Sequence, residues 1–306
     1  MLTLLLASWL TLVELNCENL FDCRHDEGKQ DTEWLPASPR HWTPSRFWRK
    51  VNSLGQVIMS CQDDALPDLV ALVEVENDSC LHYLTRRSLL RKAGYQYLMT
   101  QSPDLRGIDV ALLYQPATFQ PVCYDMLRVE PLEGMRPTRD ILYVQGMTRD
   151  SVLLHVFVVH APSRYGGEKS TRPFRLQVMQ RLIEQVRLLP ADARIIVCGD
   201  FNDYADSPSL QFLGRQGLHN VTARAPSAYG YAEGTYRYQG RWESIDHVLV
   251  STSLLPAVRQ VCINDAPFLL EDDKKYGGKK PLRTYSGFQY QRGFSDHLPL
   301  VVRLQW

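Results

Sequence analysis

The fold of this chain is constrained most by a series of short apolar runs rich in β-branched residues, each of which borders a polar side chain. Such runs have the length and composition of buried strands. The four clearest cases are residues 69–73 before Glu74, 156–159 before His160, 195–199 before Asp200, and 248–250 after Asp246 and His247. Because an unpaired ionisable group is costly to bury, a core has little use for these side chains. We therefore expect the strand ends to meet at one functional site.

Helical patterns alternate with these strand-like runs. Apolar residues recur at helical spacing over 47–61 and 178–189, which is typical of helices packed on one face. A further helix is predicted over 77–94, and another begins at Ser207 and Pro208, an N-cap residue followed by proline at the first helical position. No internal repeat is evident. The alternation indicates an α/β fold.

Composition narrows the function without fixing it. The 306 residues are enough for one large domain or two ordinary ones. Lys and Arg number 34, as do Asp and Glu, so the net charge of zero excludes a polyanion binder that relies on bulk positive charge. The charge balance does not exclude a local basic patch. The seven cysteines include no Cys-x-x-Cys pair, and we expect all of them to be reduced or inert, with Cys123 and Cys198 buried as small hydrophobes.

The N-terminus permits two interpretations. Residues 1–13 carry no charge, and residues 2–12 resemble the apolar region of a secretory signal, but no Lys or Arg precedes them. The run is also too short to span a bilayer. We expect a first core strand preceded by an apolar extension over 1–9, a cytoplasmic location and no stable membrane span. A truncated signal, and hence export, is the alternative.

Two long polar stretches, 24–44 and 271–283, are predicted to be surface loops. Loops of this length more often belong to a functional rim than to a passive link, and a solvated excursion is the alternative. In the first loop region, Arg40, Trp42 and Trp48 either stack on a base or sugar or fold against the body of the protein.

The polar residues at the strand ends suit a hard divalent cation, because carboxylates and amides without cysteine are ligands for Mg²⁺ or Mn²⁺. Asn16 and Glu18 differ by two positions, as do Asp200 and Asn202. On an extended strand, residues at this spacing face the same side. Each pair is therefore expected to project into one cleft.

Six motifs occur in one order along the chain and resemble those of the endonuclease/exonuclease/phosphatase superfamily. They are NCENLFD at 16–22, LVEVEN at 72–77, VHAPSR at 159–164, GDFN at 199–202, IDHVLVS at 245–251 and SDHLPL at 295–300. The superfamily includes DNase I-like nucleases, apurinic-site endonucleases, sphingomyelinases and inositol-polyphosphate phosphatases. The first and third motifs are similar to those of a bacterial branch whose natural substrates are often unassigned.

This resemblance implies a four-layer α/β sandwich, in which two mixed β-sheets lie face to face and are flanked by helices. It implies a single catalytic domain over 10–306 and a metal-dependent cleavage of phosphate esters. In the metal site, Glu74 matches the principal ligand and Asn16 the asparagine of the first motif, while Glu18 and Asp296 match residues that add ligands either directly or through water. The implied cofactor is Mg²⁺ or Mn²⁺.

The resemblance also assigns catalytic residues. Asp200 matches the residue that orients or deprotonates the attacking water, and Asn202 matches the amide that binds a phosphate oxygen. His297 matches the catalytic histidine, with Asp246 holding its ring. His160 matches a second histidine that contacts the substrate, for which Asp109 is the expected carboxylate partner.

Arg164 and Arg172 flank Gly166 and Gly167 after the histidine motif. Arginine binds phosphate through two nitrogens, so Arg164 is expected to bind substrate. For both arginines, a surface ion pair is the alternative.

Together these observations predict a monomeric phosphodiesterase or endonuclease that uses in-line attack by an activated water. Its expected partner is a phosphate-ester substrate, with nucleic acid among the candidates. The alternatives are a phosphomonoesterase, or a hydrolase of phospholipids or inositol phosphates. A non-catalytic binding protein on the same fold is less consistent with the complete set of reactive residues.

Overall fold

The computed structural model describes residues 9–62 and 64–306. The predicted N-terminal extension, and with it most of the alternative signal segment, falls outside the described residues except at its last position. The first strand itself is confirmed, since it runs from Trp9 to Leu20.

The secondary structure consists mainly of strands. The helices are α1 (Pro44–Met59), α2 (Asp78–His82), α3 (Glu168–Val186) and α4 (Pro208–Arg215). The strands are β1 (Trp9–Leu20), β2 (Leu69–Val75), β3 (Gln96–Met99), β4 (Asp109–Tyr114), β5 (Phe119–Leu127), β6 (Ile141–Thr148), β7 (Leu153–His160), β8 (Arg194–Asp200), β9 (Leu218–Asn220), β10 (Tyr236–Tyr238), β11 (Arg241–Glu243), β12 (Asp246–Ser251), β13 (Val258–Ile263), β14 (Leu270–Asp272), β15 (Lys279–Pro281), β16 (Tyr285–Ser286), β17 (Gln289–Tyr290) and β18 (Leu300–Gln305). Short 3₁₀ turns lie at Thr32–Trp34, Leu89–Lys92, Leu255–Ala257 and Pro267–Leu269.

Two large mixed sheets form the centre of the fold. The first sheet has the strand order β13-β18-β1-β2-β4-β3, and the second has the order β5-β6-β7-β8-β12-β9. Each sheet contains one parallel pair, β1 with β2 and β7 with β8. The predicted α/β sandwich of two mixed sheets is therefore confirmed.

Side-chain alternation along the strands produces the layers. On β7, Val156 and Val158 belong to the larger core, which also includes the first sheet, whereas Phe157 and Val159 belong to a separate core with α3 and α4. This is the period of two expected of a strand buried on both faces. Helix α1 packs on the other side, where Val51 and Leu54 join the larger core.

The predicted helix over 77–94 is wrong in extent. Asn77 caps α2, as expected, by accepting a hydrogen bond from the Cys80 amide at 3.1 Å. The helix then gives way to a π turn over Tyr83–Arg87 and to a 3₁₀ turn. Within this stretch the Thr85 hydroxyl donates to the Leu81 carbonyl at 2.8 Å, and such side-chain bonds compete with regular helix bonding.

Three further predictions are settled by burial. Cys198 is buried and all seven cysteines are free, but Cys123 is exposed, because β5 is the edge strand of the second sheet. Trp42 is fully buried, and its Nε1 donates to the Phe21 carbonyl at 2.9 Å. Trp42 is therefore folded against the body of the protein, and the Arg40 guanidinium lies over the ring of Trp34. Trp48 instead lies on α1 and is 43% exposed.

The second polar stretch is more ordered than predicted. Strands β14 and β15 pair within it, so 271–283 is largely a short hairpin. No helix among the described residues is long and apolar enough to cross a membrane.

Candidate active site

Three strands of the second sheet bring an imidazole and two carboxylates into one row. Parallel pairing of β7 with β8 sets His160 opposite Asp200, and antiparallel pairing of β8 with β12 sets Asp246 opposite Asp200. Polar residues that end β7 and β8 thus meet the residue that begins β12. The register fulfils the expectation that these strand ends lie at one edge.

The first sheet supplies the facing side of the same site. Asn16 lies on β1 and Glu74 on β2, near the carboxyl ends of two parallel strands. Asp296 and His297 precede β18, which runs antiparallel to β1 and so begins at the same end. A cavity of about 520 Å³, which we call the active-site cavity, is lined by these residues together with His160, Asp200 and Asn202.

The backbone at this edge is strained. Glu18, Glu74 and Asn202 have φ angles of 49°, 61° and 50°, a region that non-glycine residues rarely adopt. Such strain persists where the surrounding structure enforces it, and it clusters at functional sites. Here the Asn19 amide donates to Glu74 Oε2 at 2.9 Å, and the Asn202 amide donates to Asp200 Oδ1 at 2.8 Å.

Gly199 is required by the close approach of β7 and β8. Its φ is 140°, and a Cβ at this position would lie 1.8 Å from the Val159 carbonyl oxygen. Any side chain would force the strands apart and separate His160 from Asp200.

His297 is held by a carboxylate. Its Nδ1 lies 2.8 Å and 3.0 Å from the two oxygens of Asp246, so Nδ1 carries a proton and Nε2 is the other ring nitrogen. The Thr235 hydroxyl donates to the same carboxylate. Burial opposes the charged ring, but the carboxylate of Asp246 outweighs it and raises the pKa of His297 well above its ordinary value.

His160 has the opposite environment. Burial, reinforced by the positive charges of Arg139 and Arg106, lowers its pKa well below the usual value. Its Nε2 lies 3.8 Å from Asp200 Oδ2, and its buried Nδ1 has no hydrogen-bond partner among the described residues. The predicted pairing with Asp109 is wrong.

Asp109 is engaged elsewhere. Its Oδ1 accepts hydrogen bonds from the Thr100 hydroxyl at 2.6 Å and from the Ser102 amide at 3.0 Å. Thr100 and Ser102 belong to the segment that follows β3. The pairing of β3 with β4 brings this segment next to Asp109, and the sequence around Asp109 does not predict that pairing.

The side chain of Asp200, at the end of β8, connects the second sheet to the first. Its Oδ2 accepts a hydrogen bond from Asn16 Nδ2 at 3.1 Å. Burial, followed by the nearby charge of Asp246, raises the pKa of Asp200 to about 7. A carboxylate with this affinity for protons is suited to general-base chemistry near neutral pH.

The oxygen donors around the cavity fit a hard divalent cation. Among the described residues, the ion-pair neighbours of Glu74 Oε1 are no closer than Arg106 at 3.7 Å and His160 at 3.9 Å. Asp296 Oδ1 is 4.0 Å from His297, whereas Asp296 Oδ2 accepts a hydrogen bond from Arg283 Nη2 at 2.8 Å. Both carboxylates line the cavity, as does Asn16. Asp200, Asp246 and His297 also approach one another within 4.8 Å, but Asp246 is already occupied by His297 and Thr235.

Glu18 does not share this environment. One oxygen accepts from the Thr284 amide at 2.6 Å, and the other accepts from Arg283 Nε at 3.2 Å. The expectation that Asn16 and Glu18 face the same side fails because the β1 register shifts between Asn16 and Leu20. This irregularity breaks the alternation of side chains, so a direct metal ligand from Glu18 has no support in the structure.

The predicted substrate-binding residues differ in the hydrogen bonds and ion pairs that they already make within the protein. Asn202 Nδ2 donates to the Ala161 carbonyl at 3.1 Å, at the wall of the cavity. Arg164 also lines the cavity, but its guanidinium donates to Tyr204 at 2.6 Å and to Glu243. Arg172 forms an exposed pair with Glu168 one helical turn away at 2.9 Å, as the surface alternative predicted.

Some residues of the site escaped the sequence analysis. Arg106 and Tyr236 line the cavity, and no motif marks either of them. Glu14 is fully buried on β1, and neither oxygen has a hydrogen-bond partner among the described residues. Its position two residues before Asn16 is the one signal that could have found it. Burial, and then the charges of Asp246 and Asp200, raise its pKa well above the ordinary value.

Solved structures with this fold cover nearly the whole chain. An endonuclease/exonuclease/phosphatase family protein from Bacteroides thetaiotaomicron is 15% identical, with a TM-score of 0.64 over 98% of each chain. A mannosyl-6-phosphatase from Bacteroides thetaiotaomicron VPI-5482 is 16% identical, with a TM-score of 0.63 over 97% of this chain and 100% of that one. The human Nocturnin catalytic domain with bound sulfate is 18% identical, with a TM-score of 0.58 over 97% of each chain.

The sheets, their order and these likenesses define a DNase I-like α/β sandwich. The chain belongs to the Endonuclease/Exonuclease/phosphatase family, whose sequence model matches residues 11–306. No curated protein sequence matches the chain.

Proposed function

We propose that the protein is a divalent-metal-dependent phosphoesterase, of the phosphodiesterase or endonuclease type, with residues 10–306 as its catalytic domain. The observation that carries this proposal is the convergence, at one cavity, of the Asp246-bound His297 with Asp200 and Glu74. Burying a cluster of ionisable side chains does not stabilise a folded protein unless their charges are compensated.

A divalent ion held by Glu74, Asn16 and Asp296 would supply charge stabilisation at the phosphate oxygens. Asp200 accepts a proton from the attacking water, whose oxygen forms the new bond to phosphorus while the bond to the leaving oxygen breaks. Asn16 orients Asp200 through the 3.1 Å hydrogen bond to Oδ2.

His297 supplies the second protein contribution. Asp246 fixes its tautomer and keeps it protonated, so Nε2 donates a hydrogen bond to a phosphoryl oxygen as charge develops there. His160 stays neutral, and at the opposite wall it donates or accepts one hydrogen bond without adding charge.

The test is hydrolysis of bis(p-nitrophenyl) phosphate with Mg²⁺ or Mn²⁺, with and without EDTA. We expect metal-dependent release of nitrophenol that EDTA abolishes. Turnover of p-nitrophenyl phosphate but not of the diester would instead favour the phosphomonoesterase alternative. A folded protein inactive on both, and on a panel of DNA, abasic duplex, RNA, sphingomyelin and inositol phosphates, would favour a binding protein.

A further inference from the structure

A second cavity adjoins the active-site cavity, and most of the charged side chains in its lining are arginines. It encloses about 350 Å³, and Arg106 and Ser163 line both cavities. Its charged lining consists of Arg106, Arg136, Arg139 and Asp104. We call it the basic cavity.

The single carboxylate of the basic cavity is already neutralised. Asp104 Oδ2 accepts from Arg139 Nη1 at 3.2 Å, and its Oδ1 accepts from the Arg106 backbone amide at 2.9 Å. Arg106 lies 3.7 Å from Glu74 Oε1, so the positive charge left in excess is that of Arg136, which is exposed and has no ion-pair partner among the described residues.

Two hydrogen-bonding groups in the cavity wall are also unused. Thr138 is only 6% exposed, and its buried hydroxyl has no partner among the described residues. Arg139 is likewise buried, and its Nε is unpartnered even though Nη2 donates to the Ala161 carbonyl at 2.8 Å. Buried polar groups are normally satisfied, and both atoms are inaccessible in this structure. A small movement of the wall that exposed them would add two donors beside Arg136, which suits an acceptor-rich ligand.

Much of the remaining lining is apolar, with contributions from Leu105, Met135, Pro137, Pro162 and Phe174, and Gln30 and Ser163 add polar groups. A ligand that fits both features carries an anionic group on an organic body. Because Arg106 and Ser163 line both cavities, one extended molecule can contact both of them.

We infer that the basic cavity binds a second phosphate group of the substrate, so that the enzyme prefers phosphodiesters bearing a further phosphate next to the scissile one. This inference rests on the proposed function for the identity of the scissile group. Guanidinium groups recognise phosphate by paired hydrogen bonds, and the buried hydroxyl of Thr138 would supply one more donor if its side chain turned toward the cavity.

The test compares the dinucleotide d(TpT) with its 5′-phosphorylated form d(pTpT), and bis(p-nitrophenyl) phosphate serves as a substrate with a single phosphate. We expect wild-type protein to have a higher kcat/KM on d(pTpT) than on d(TpT). Arg136→Ala should lower kcat/KM on d(pTpT) by about three- to tenfold through KM, and leave the other two substrates within about twofold. Thr138→Val, which keeps the shape of the side chain, should reduce the same preference.

Arg215→Ala is the matched control, because Arg215 is an exposed arginine on α4 that lines neither cavity. It should leave all three substrates unchanged. Equal loss on all substrates in Arg136→Ala, or no preference for d(pTpT) in wild-type protein, would overturn the inference while leaving diester hydrolysis, and hence the proposed function, intact.

Binding measured in EDTA keeps the inference testable if no hydrolysis occurs. By calorimetry, wild-type protein should bind d(pTpT) more tightly than d(TpT), and Arg136→Ala should remove the difference. If Arg136→Ala weakens binding of inorganic phosphate alone and dinucleotide discrimination is unchanged, the cavity serves free phosphate and the inference fails.

Discussion

The active-site cavity and the basic cavity share a wall but differ in the charged side chains that line them. Five carboxylates against two arginines line the active-site cavity, namely Glu74, Glu168, Asp200, Glu243 and Asp296 against Arg106 and Arg164. The basic cavity has three arginines against one aspartate.

The two linings suit two different ligands, a cation in the active-site cavity and an anion in the basic cavity. Three of the carboxylates in the active-site cavity already pair with arginines: Glu168 with Arg172, Glu243 with Arg164 and Asp296 with Arg283. The charge that a bound cation would balance is therefore chiefly that of Glu74 and Asp200. The arginine side chains of the basic cavity supply positive charge and hydrogen-bond donors, which suit an anion. A net charge of zero over the whole chain therefore conceals two local fields, and local fields govern binding.

The largest effect should follow from removing the imidazole at the active-site cavity. We expect His297→Ala to reduce kcat on bis(p-nitrophenyl) phosphate by about 10²–10⁴-fold because a protonated donor to the phosphoryl oxygen is lost. The measurement is steady-state kinetics, accompanied by a thermal unfolding curve. His219→Ala, at an exposed histidine bonded to Thr252, is the control, and comparable losses in both variants would remove His297 from the chemistry.

The next effect concerns the cation. Glu74→Gln removes a charged oxygen donor, so calorimetry should show Mn²⁺ affinity lowered by at least about tenfold. Glu168→Gln is the matched control, since Glu168 lines the same cavity but pairs with Arg172. Equal weakening by both variants would mean that the cavity attracts cations only by bulk charge.

A smaller effect is expected at the shared wall. Arg106 lies 3.7 Å from Glu74, and it donates to Asn19 Oδ1 at 2.6 Å while 46% exposed. Arg106→Gln should lower kcat/KM by about threefold on both d(TpT) and d(pTpT). Arg136→Ala, by contrast, should lower it on d(pTpT) alone. An effect confined to d(pTpT) would assign Arg106 to the basic cavity alone.

Ionic strength should produce the smallest change. Raising KCl from about 50 mM to about 500 mM shortens the screening length severalfold, so the preference for d(pTpT) over d(TpT) should fall by about two- to threefold. The rate on bis(p-nitrophenyl) phosphate should change less. A preference that is insensitive to salt would indicate that the exposed Arg136 does not contribute to it.

How much of this site the sequence could reveal depended on how local each contact is. His160, Asp200 and Asp246 follow or precede continuous buried runs, so their position at a sheet edge could be predicted and the strand register then brought them together. The fold class followed from the same alternation and from the ordered motifs.

The failures arose where local patterns were overridden. The irregularity in β1 turned Glu18 away from Asn16, which a period of two cannot foresee. The basic cavity is assembled from residues 104–106, 134–139 and 162–163 together with Gln30 and Phe174, and no motif connects these parts of the chain. Arg136 was therefore indistinguishable in the sequence from any other surface arginine.

The central claim is that the oxygen donors of the active-site cavity hold a divalent cation. Anomalous diffraction from crystals soaked in Mn²⁺ tests it most directly. We predict a peak within coordination distance of Glu74, with Asn16 or Asp296 as a further neighbour, and loss of that peak in Glu74→Gln. A peak only at other carboxylates, or none in the cavity at saturating Mn²⁺, would contradict it.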